Sequence, residues 1–416
     1  MFALVDGNNF YASCERVFQP ALRHRPVVVL SNNDGCCIAR SNEAKALGVR
    51  MAQPIHEVPP NIRKQLMVRS ANFTLYGDMS ARVVAILRDA APRVEVYSVD
   101  ESFLDLTGVR HREAFAHELR ERVHRWTGIP NCIGIGPSKT LAKLANKLAK
   151  RGAGVLDVSD ADVRAKALAD FPVADLWGVG PRYAARLTER GISTAAQLRD
   201  ASFDDILAGF GVTLARTVRE LQGQSCIALQ EVEPDRQQIM VSRSFGQRVE
   251  DHTSIAQALA TFATRAAEKM RGRGLVAAAM GVFASTDTFR PELRQHHPHK
   301  MVNLLRPTSD TRLLLTTLRE VLDRRFLRDG CGYKKAGIWL TDLARPHDLQ
   351  GDLFAPATVG NDKLMATVDA INRRYGRGVA GFGASGWRKT PEWGMRQQSL
   401  SPRFTTCVAE LPRAVC

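Results

Sequence analysis

YSVDESFLDL, residues 97–106, sets two adjacent carboxylates, Asp100 and Glu101, inside an otherwise apolar run. Ionised groups are costly to bury, so such a pair either turns outward in a surface bend or serves a charged partner. In an unbroken strand the two side chains point to opposite faces; at a hairpin bend both can face one side. The preceding PRVEVYSV alternates, and SFLDL is strand-like in its turn, which predicts a hairpin here. The pair makes chemical sense only if the chain turns there and other residues supply its partners.

A third acidic residue supplies one. Asp6 ends the apolar stretch FALVD and is followed by GNNFYASCE. If that strand lies beside the hairpin, three carboxylates converge at one sheet edge. Such an all-oxygen set suits two Mg²⁺ ions, which together serve in-line phosphoryl transfer. Spacing alone does not join Asp6 to Asp100.

The chain has 416 residues, enough for about three domains. With 58 Lys and Arg against 43 Asp and Glu it carries a net charge of +15, which favours a polyanionic partner. No apolar run approaches the ~18 residues of a membrane span. MFALVDGNNF reaches an Asp at position 6, too early for a signal-peptide core. A cytoplasmic protein that meets nucleic acid, and no membrane, is the expectation. The eight Cys include one adjacent pair, Cys36 and Cys37, and form no CxxC, so neither a zinc ribbon nor a disulfide framework is expected.

Along the chain, RPVVVL (25–30) reads as a buried strand, and residues 39–51 have helical spacing with a stop at Gly48. NCIGIGPS (131–138) is a strand running into a turn. KTLAKLANKLAKR is an amphipathic helix, with Lys139, Lys143, Lys147 and Lys150 at helical spacing opposite Leu141, Leu144 and Leu148. A lysine stripe is usually a solvated face, but residues 131–156 hold no Asp or Glu to balance it, which favours a surface facing phosphates. GIGPSKT is no P-loop, because Ser138 stands where the glycine before the lysine must be. In residues 171–198 two helical stretches flank Gly178–Val179–Gly180. That is the shape of a helix-hairpin-helix, whose glycines let backbone amides approach a DNA phosphate, or of a plain helical hairpin. Residues 230–238 read as a linker. Residues 241–346 carry 18 Lys and Arg against 10 Asp and Glu and alternate strand-like and helix-like pieces, a basic α+β module suited to gripping a nucleic-acid backbone. Beyond Arg345 a partly extended tail is expected.

DGNNFYASCE, YSVDESFLDLTG and GIGPSKTLAKLANKLAK together resemble the Y-family of lesion-bypass DNA polymerases. VVVLSNNDGCCIARSNEAKALGVRM (27–51) and WGMRQQSLSPRFTT (393–406) resemble its UmuC-type branch, the catalytic subunits of DNA polymerase V. The likeness runs from residue 1 to about residue 405. It implies an α+β multidomain right-hand polymerase: a palm of residues 1–10 and 75–165, fingers at 11–74, a thumb at 166–235, a little finger at 241–346 and a C-terminal tail at 347–416.

It further implies that Asp6 and Asp100 bridge two Mg²⁺ ions, with Glu101 and the Gly7 carbonyl as further ligands. Tyr11 would be the steric gate beneath the incoming sugar. Ile38 and Ala39 would roof the nascent base pair, and Lys45 and Lys150 would touch the triphosphate; many relatives have Arg in place of Lys45. Gly178, Gly180, Lys139 and Lys143 would meet DNA. QGDLF (350–354) resembles a sliding-clamp docking peptide, with Gln350, Leu353 and Phe354 as its contacts and Gly351 in place of the usual Leu. The expected partners are primer–template DNA, dNTPs, the clamp, a UmuD-type dimer and RecA, at the replication fork in the nucleoid. The expected activity is error-prone translesion synthesis in the SOS response. A catalytically silent polymerase-like platform is the alternative, and three costly carboxylates argue against it. A two-metal nuclease would not need Tyr11 or the triphosphate lysines.

Overall fold

The computed structural model describes residues 1–231, 235–323, 325–349, 360–376, 378–386 and 391–411. The chain forms two compact units: Met1–Ser31, Gly35–Glu233 and Ser399–Cys416 make the first, and Asn32–Asp34 with Pro234–Gln398 the second.

In chain order the first unit has β1 (Phe2–Gly7), α1 (Phe10–Phe18), β2 (Val27–Leu30), β3 (Cys37–Arg40), α2 (Asn42–Ala46), α3 (Pro60–Arg63), β4 (Met67–Ser70), α4 (Phe73–Ala90), β5 (Val94–Val96), β6 (Glu101–Asp105), α5 (Arg112–Thr127), β7 (Asn131–Gly136), α6 (Lys139–Ala149) and β8 (Val155–Asp157). Five of these strands form one sheet in the order β5-β6-β1-β7-β8; β3-β2-β4 form a smaller one. The hairpin expected from YSVDESFLDL is present, β5 pairing antiparallel with β6.

Strand β1 is buried along its whole length because both faces of the sheet are covered. Ala3 and Val5 join Leu87, Leu119 and Val123 of α4 and α5 in one core, whereas Phe2 and Leu4 meet Phe103 and Ala142 on the α6 side. Two-residue alternation then places Asp6 on the α6 side as well. The α6 helix lies so close to β7 that a Cβ on Gly134 would stand 2.1 Å from the Asn146 backbone nitrogen; only glycine fits there. Asn146 fastens the contact by donating to the carbonyls of Leu4 (3.2 Å) and Cys132 (2.7 Å).

Five short helices follow, α7 (Ala161–Ala169), α8 (Pro181–Glu189), α9 (Ala195–Asp200), α10 (Phe203–Phe210) and α11 (Val212–Leu221), around a core that includes Leu187, Leu198 and Leu214. Gly178 has φ +86°, a conformation that disfavours any side chain. One flank expected to be helical is shorter than its composition suggested: before Gly178 there is only a 3₁₀ turn, Val173–Asp175.

The second unit is built on an antiparallel sheet, β11-β10-β12-β9, from β9 (Gln238–Val249), β10 (Val276–Thr286), β11 (His299–Thr308) and β12 (Tyr333–Ala344). Helices α12 (His252–Arg271) and α13 (Thr311–Leu322) share its core, with Leu259, Phe262, Met280, Leu314 and Ile338. The stretch beyond Arg345 is more ordered than an extended tail. It forms α14 (Asp362–Tyr375), held by a two-pronged Asp369–Arg271 ion pair (2.7 and 2.8 Å) and by the buried Met365. Local 3.6-residue periodicity in DKLMATVDAINRRY was the available signal. Residues 350–354, the expected clamp peptide, lie outside the described residues. Among the described residues no helix is long and apolar enough to cross a membrane, and every cysteine is a free thiol.

Candidate active site

The three carboxylates meet at the ends of β1 and β6. In the sheet register Asp6 stands directly opposite Glu101, and the Gly7 amide donates to the Asp100 carbonyl at 2.8 Å. Strand β6 begins at Glu101, so Asp100 belongs to the turn before it. That turn is held by Ser98, whose hydroxyl donates to Asp100 Oδ1 (2.6 Å) and accepts from the Glu101 amide (3.1 Å). Gly7 suits its position sterically: a Cβ there would stand 2.9 Å from Phe10 Cδ2.

Helix α6 delivers positive charge to this edge. Lys150 Nζ donates to Asp6 at 2.7 Å, and Lys143 Nζ donates to Glu101 at 2.9 Å. Burial pushes the Asp6 carboxyl up to about 6; Lys150 opposes this, and the charges of Glu101 and Asp100 reinforce it. Among the described residues no group of three His, Cys, Asp or Glu is arranged to hold a metal ion. The donor chemistry nevertheless fits one: hard carboxylate oxygens gathered at one sheet edge suit a hard divalent cation.

The lysine stripe divides in the structure. Lys139 is not a DNA contact; it is 1% exposed, paired with Glu95, and donates to the Ala228 carbonyl at 2.8 Å. Helical phase turned it toward the sheet, and the partner that stabilises it lies on β5. Lys143 faces the carboxylate edge instead of open solvent, over the rings of Tyr97 (4.3 Å) and Trp177 (5.1 Å). Lys147 pairs with Asp175 at 2.9 Å.

Lys45, on α2, belongs to the same neighbourhood. Its proton affinity is lowered by burial, then by the nearby cations Arg40 and Lys150, with Asp6 pulling the other way. Sequence reading missed Arg40. Its Nε is buried without a hydrogen-bond partner, while its Nη1 donates to the Val49 carbonyl at 2.5 Å. Its place two residues after Ile38 in SNNDGCCIAR was the only sequence signal. On β3, Ile38 and Arg40 are half-buried and Cys37 and Ala39 buried, with a register shift against β2 that puts Cys37 opposite Leu30 and Ala39 opposite Val29. Ala39, at 7% exposure, packs in the same cluster that Ile38 borders.

Tyr11, on α1, stacks on Tyr76 with centroids 4.5 Å apart and planes 16° from parallel, and meets Phe73 edge-on at 6.0 Å. Its hydroxyl proton is held more tightly than usual, first by burial and then by the negative Asp100, which places the ring beside the carboxylate edge. Gly180 caps the N-terminus of α8, and around Gly178 and Gly180 a Cβ would meet only open space.

Comparison with known proteins gives a consistent result. The family model described as impB/mucB/samB family matches residues 5–147, its C-terminal domain matches residues 236–353, and a domain of unknown function matches residues 362–414. The chain is 44% identical to Protein UmuC of Salmonella typhimurium over 99% of this chain and 100% of the relative. A solved Y-family DNA polymerase chimera, Dbh-Dpo4-Dbh, superposes with a TM-score of 0.64 at 21% identity, covering 83% of this chain and all of the other. The insertion ternary complex of Dbh DNA polymerase superposes with a TM-score of 0.55 at 20% identity, over 83% of this chain and all of the other.

Proposed function

The chain belongs to the impB/mucB/samB family, the UmuC-type Y-family DNA polymerases, and from that membership we propose that it extends primers across damaged template, with low fidelity, by two-metal nucleotidyl transfer. The observation that carries the proposal is the Asp6–Asp100–Glu101 edge, where two strands and a serine-held turn present three carboxylates to a helix bearing lysines.

Asp6, Asp100, Glu101 and the Gly7 carbonyl would hold two Mg²⁺ ions. When bound, such ions activate the attacking oxygen and stabilise the leaving one. Lys150 and Lys45, with Arg40, receive the triphosphate; a dNTP supplies the anion that Arg40 Nε lacks. Ile38 and Ala39 cover the nascent base pair. Tyr11 lies beneath the sugar, where a 2′-hydroxyl would meet the ring. The amides around Gly178 and Gly180 receive DNA phosphates, and the basic second unit supplies sequence-independent grip on the duplex. Lys143 relinquishes Glu101 when the ligands arrive.

Residues 1–10 with 75–165 would be the palm, 11–74 the fingers, 166–235 the thumb and 241–346 the little finger. Work in the SOS response places the protein in the cytoplasm at the replication fork, with a UmuD-type dimer and RecA. The clamp would dock through Gln350, Leu353 and Phe354.

Primer extension with single dNTPs and Mg²⁺ tests the activity. Asp100→Ala is expected to lower incorporation by several orders of magnitude with little change in primer–template affinity. Turnover within about tenfold of the parent would refute the assignment.

A further inference from the structure

Residues 399–404 belong to the first unit, where they lie along the edge of β4. The Ser70 amide donates to the Ser399 carbonyl, and the Ser399 amide donates back to Ser70 Oγ, each at 3.0 Å; Leu400 and Ser70 form a parallel bridge. The Asn72 amide group donates to Ser401 O (3.1 Å), Ser401 Oγ (3.0 Å) and Pro402 O (3.2 Å). Phe404 stacks on Phe18 with centroids 5.0 Å apart. A segment more than 300 positions away in sequence thus covers an edge that would otherwise leave backbone groups unpaired.

One contact reaches further. Ser401 Oγ donates to Glu15 Oε1 at 2.9 Å, and the Tyr76 hydroxyl donates to the same oxygen at 2.7 Å. Glu15 has no exposed surface; its Oε2 has no hydrogen-bond partner, and Arg69 is its nearest cation, at 3.9 Å, so the two donors to Oε1 carry its hydrogen bonding. A carboxylate buried this deeply needs each of its donors, and losing one strands charge in the interior. Tyr76 is itself fully buried, and its ring carries the face-to-face stack with Tyr11.

We propose that residues 399–404 form a strap that positions the Tyr11 ring: Ser401 shares Glu15 Oε1 with the Tyr76 hydroxyl and holds it in place, Glu15 fixes that hydroxyl, and the Tyr76 ring sets where Tyr11 meets the incoming sugar. The inference rests on the reading of Tyr11 as the sugar gate. Ser401, Glu15 and Tyr76 are positioning residues; none is placed against substrate. The discrimination they support is steric, and steric discrimination against a single hydroxyl is lost with a small displacement of the ring. The strap also gives residues 399–404 of the C-terminal domain of unknown function a task in nucleotide selection.

The test uses the full chain and compares dNTP with rNTP incorporation efficiency in Ser401→Ala, Tyr76→Phe and Tyr11→Ala, and in the double variants that join Tyr11→Ala to each of the others. Ser401→Ala and Tyr76→Phe should each lower the dNTP:rNTP ratio about fivefold to tenfold, the worth of one ordinary hydrogen bond. In the Tyr11→Ala background neither should lower it further, because no ring is left to position. If dNTP and rNTP use fall together with the ratio constant, or if the effect persists undiminished without Tyr11, the strap has no positioning role. A ratio shifted by Tyr11→Ala alone overturns the strap and leaves the gate. A ratio that Tyr11→Ala does not move overturns both. Tyr76→Phe keeps the ring and removes only the hydroxyl, so it carries the test should Ser401→Ala fold poorly.

Discussion

Replacing Asp6 by Asn should make the metal-free protein more stable while removing its polymerase activity. The structure supplies the magnitude. Burial, with help from Glu101 and Asp100 and against the pull of Lys150, raises the Asp6 carboxyl from 3.8 to about 6. At ~1.4 kcal/mol per pH unit, the ionised carboxylate costs the folded state about 3 kcal/mol at neutral pH. Asn is nearly isosteric and carries no charge. The Lys150 ion pair it forfeits is already counted in that raised value, and the half-exposed ammonium turns to water. The expected gain is about 3 kcal/mol, or roughly 6–12 °C in melting temperature. The sign with pH follows from the raised value. Below 3.8 both folded and unfolded Asp6 are protonated, so parent and variant differ little. The gap opens as pH rises from there and is complete above about 6. Thermal denaturation in EDTA at pH 4, 5 and 7.5 measures it, with primer extension run in parallel. A variant less stable than the parent at pH 7.5, or a gap of equal size at pH 4, would refute the reasoning. Mg²⁺ should raise the melting temperature of the parent and leave that of the variant unmoved.

Lys139→Ala should cost about 3–5 kcal/mol by leaving Glu95 buried and unpaired, while the folded fraction keeps the parent's salt dependence of DNA binding; a shallower salt slope would return Lys139 to the DNA surface. Gly134→Ala should destabilise by at least ~3 kcal/mol, since its Cβ has no room against α6, whereas Gly152→Ala, with nothing within 4 Å, should cost under about 1 kcal/mol; chemical denaturation of the two distinguishes a packing requirement from a general glycine effect. Arg40→Gln should raise the KM for dNTP about 10- to 100-fold, the worth of a hydrogen bond to a charged group, with primer–template affinity unchanged; an unaltered KM would remove Arg40 from the nucleotide site.

Much of the site was legible in local sequence because its elements are local. The alternation of PRVEVYSV and SFLDL determines a hairpin, and a hairpin is what lets Asp100 and Glu101 serve one edge. The amphipathic spacing of residues 139–150 determines α6, and the close-approach glycines before it determine how near that helix can come to the sheet. Periodicity does not say which of several lysines on one helix faces solvent. Lys139, Lys143 and Lys150 share a spacing and a chemistry, yet they end against Glu95, Glu101 and Asp6 because β5, β6 and β1 happen to lie under successive turns. Cys37 and Ala39 are likewise two residues apart, yet a register shift against β2 sends them to different cores. The longest-range decision is the docking of residues 399–404 along β4 and onto Glu15. Each of its hydrogen bonds joins residues hundreds of positions apart, so no window of sequence contains both partners. Local propensity determines which elements form, and tertiary packing alone decides which buried charge each of them must satisfy.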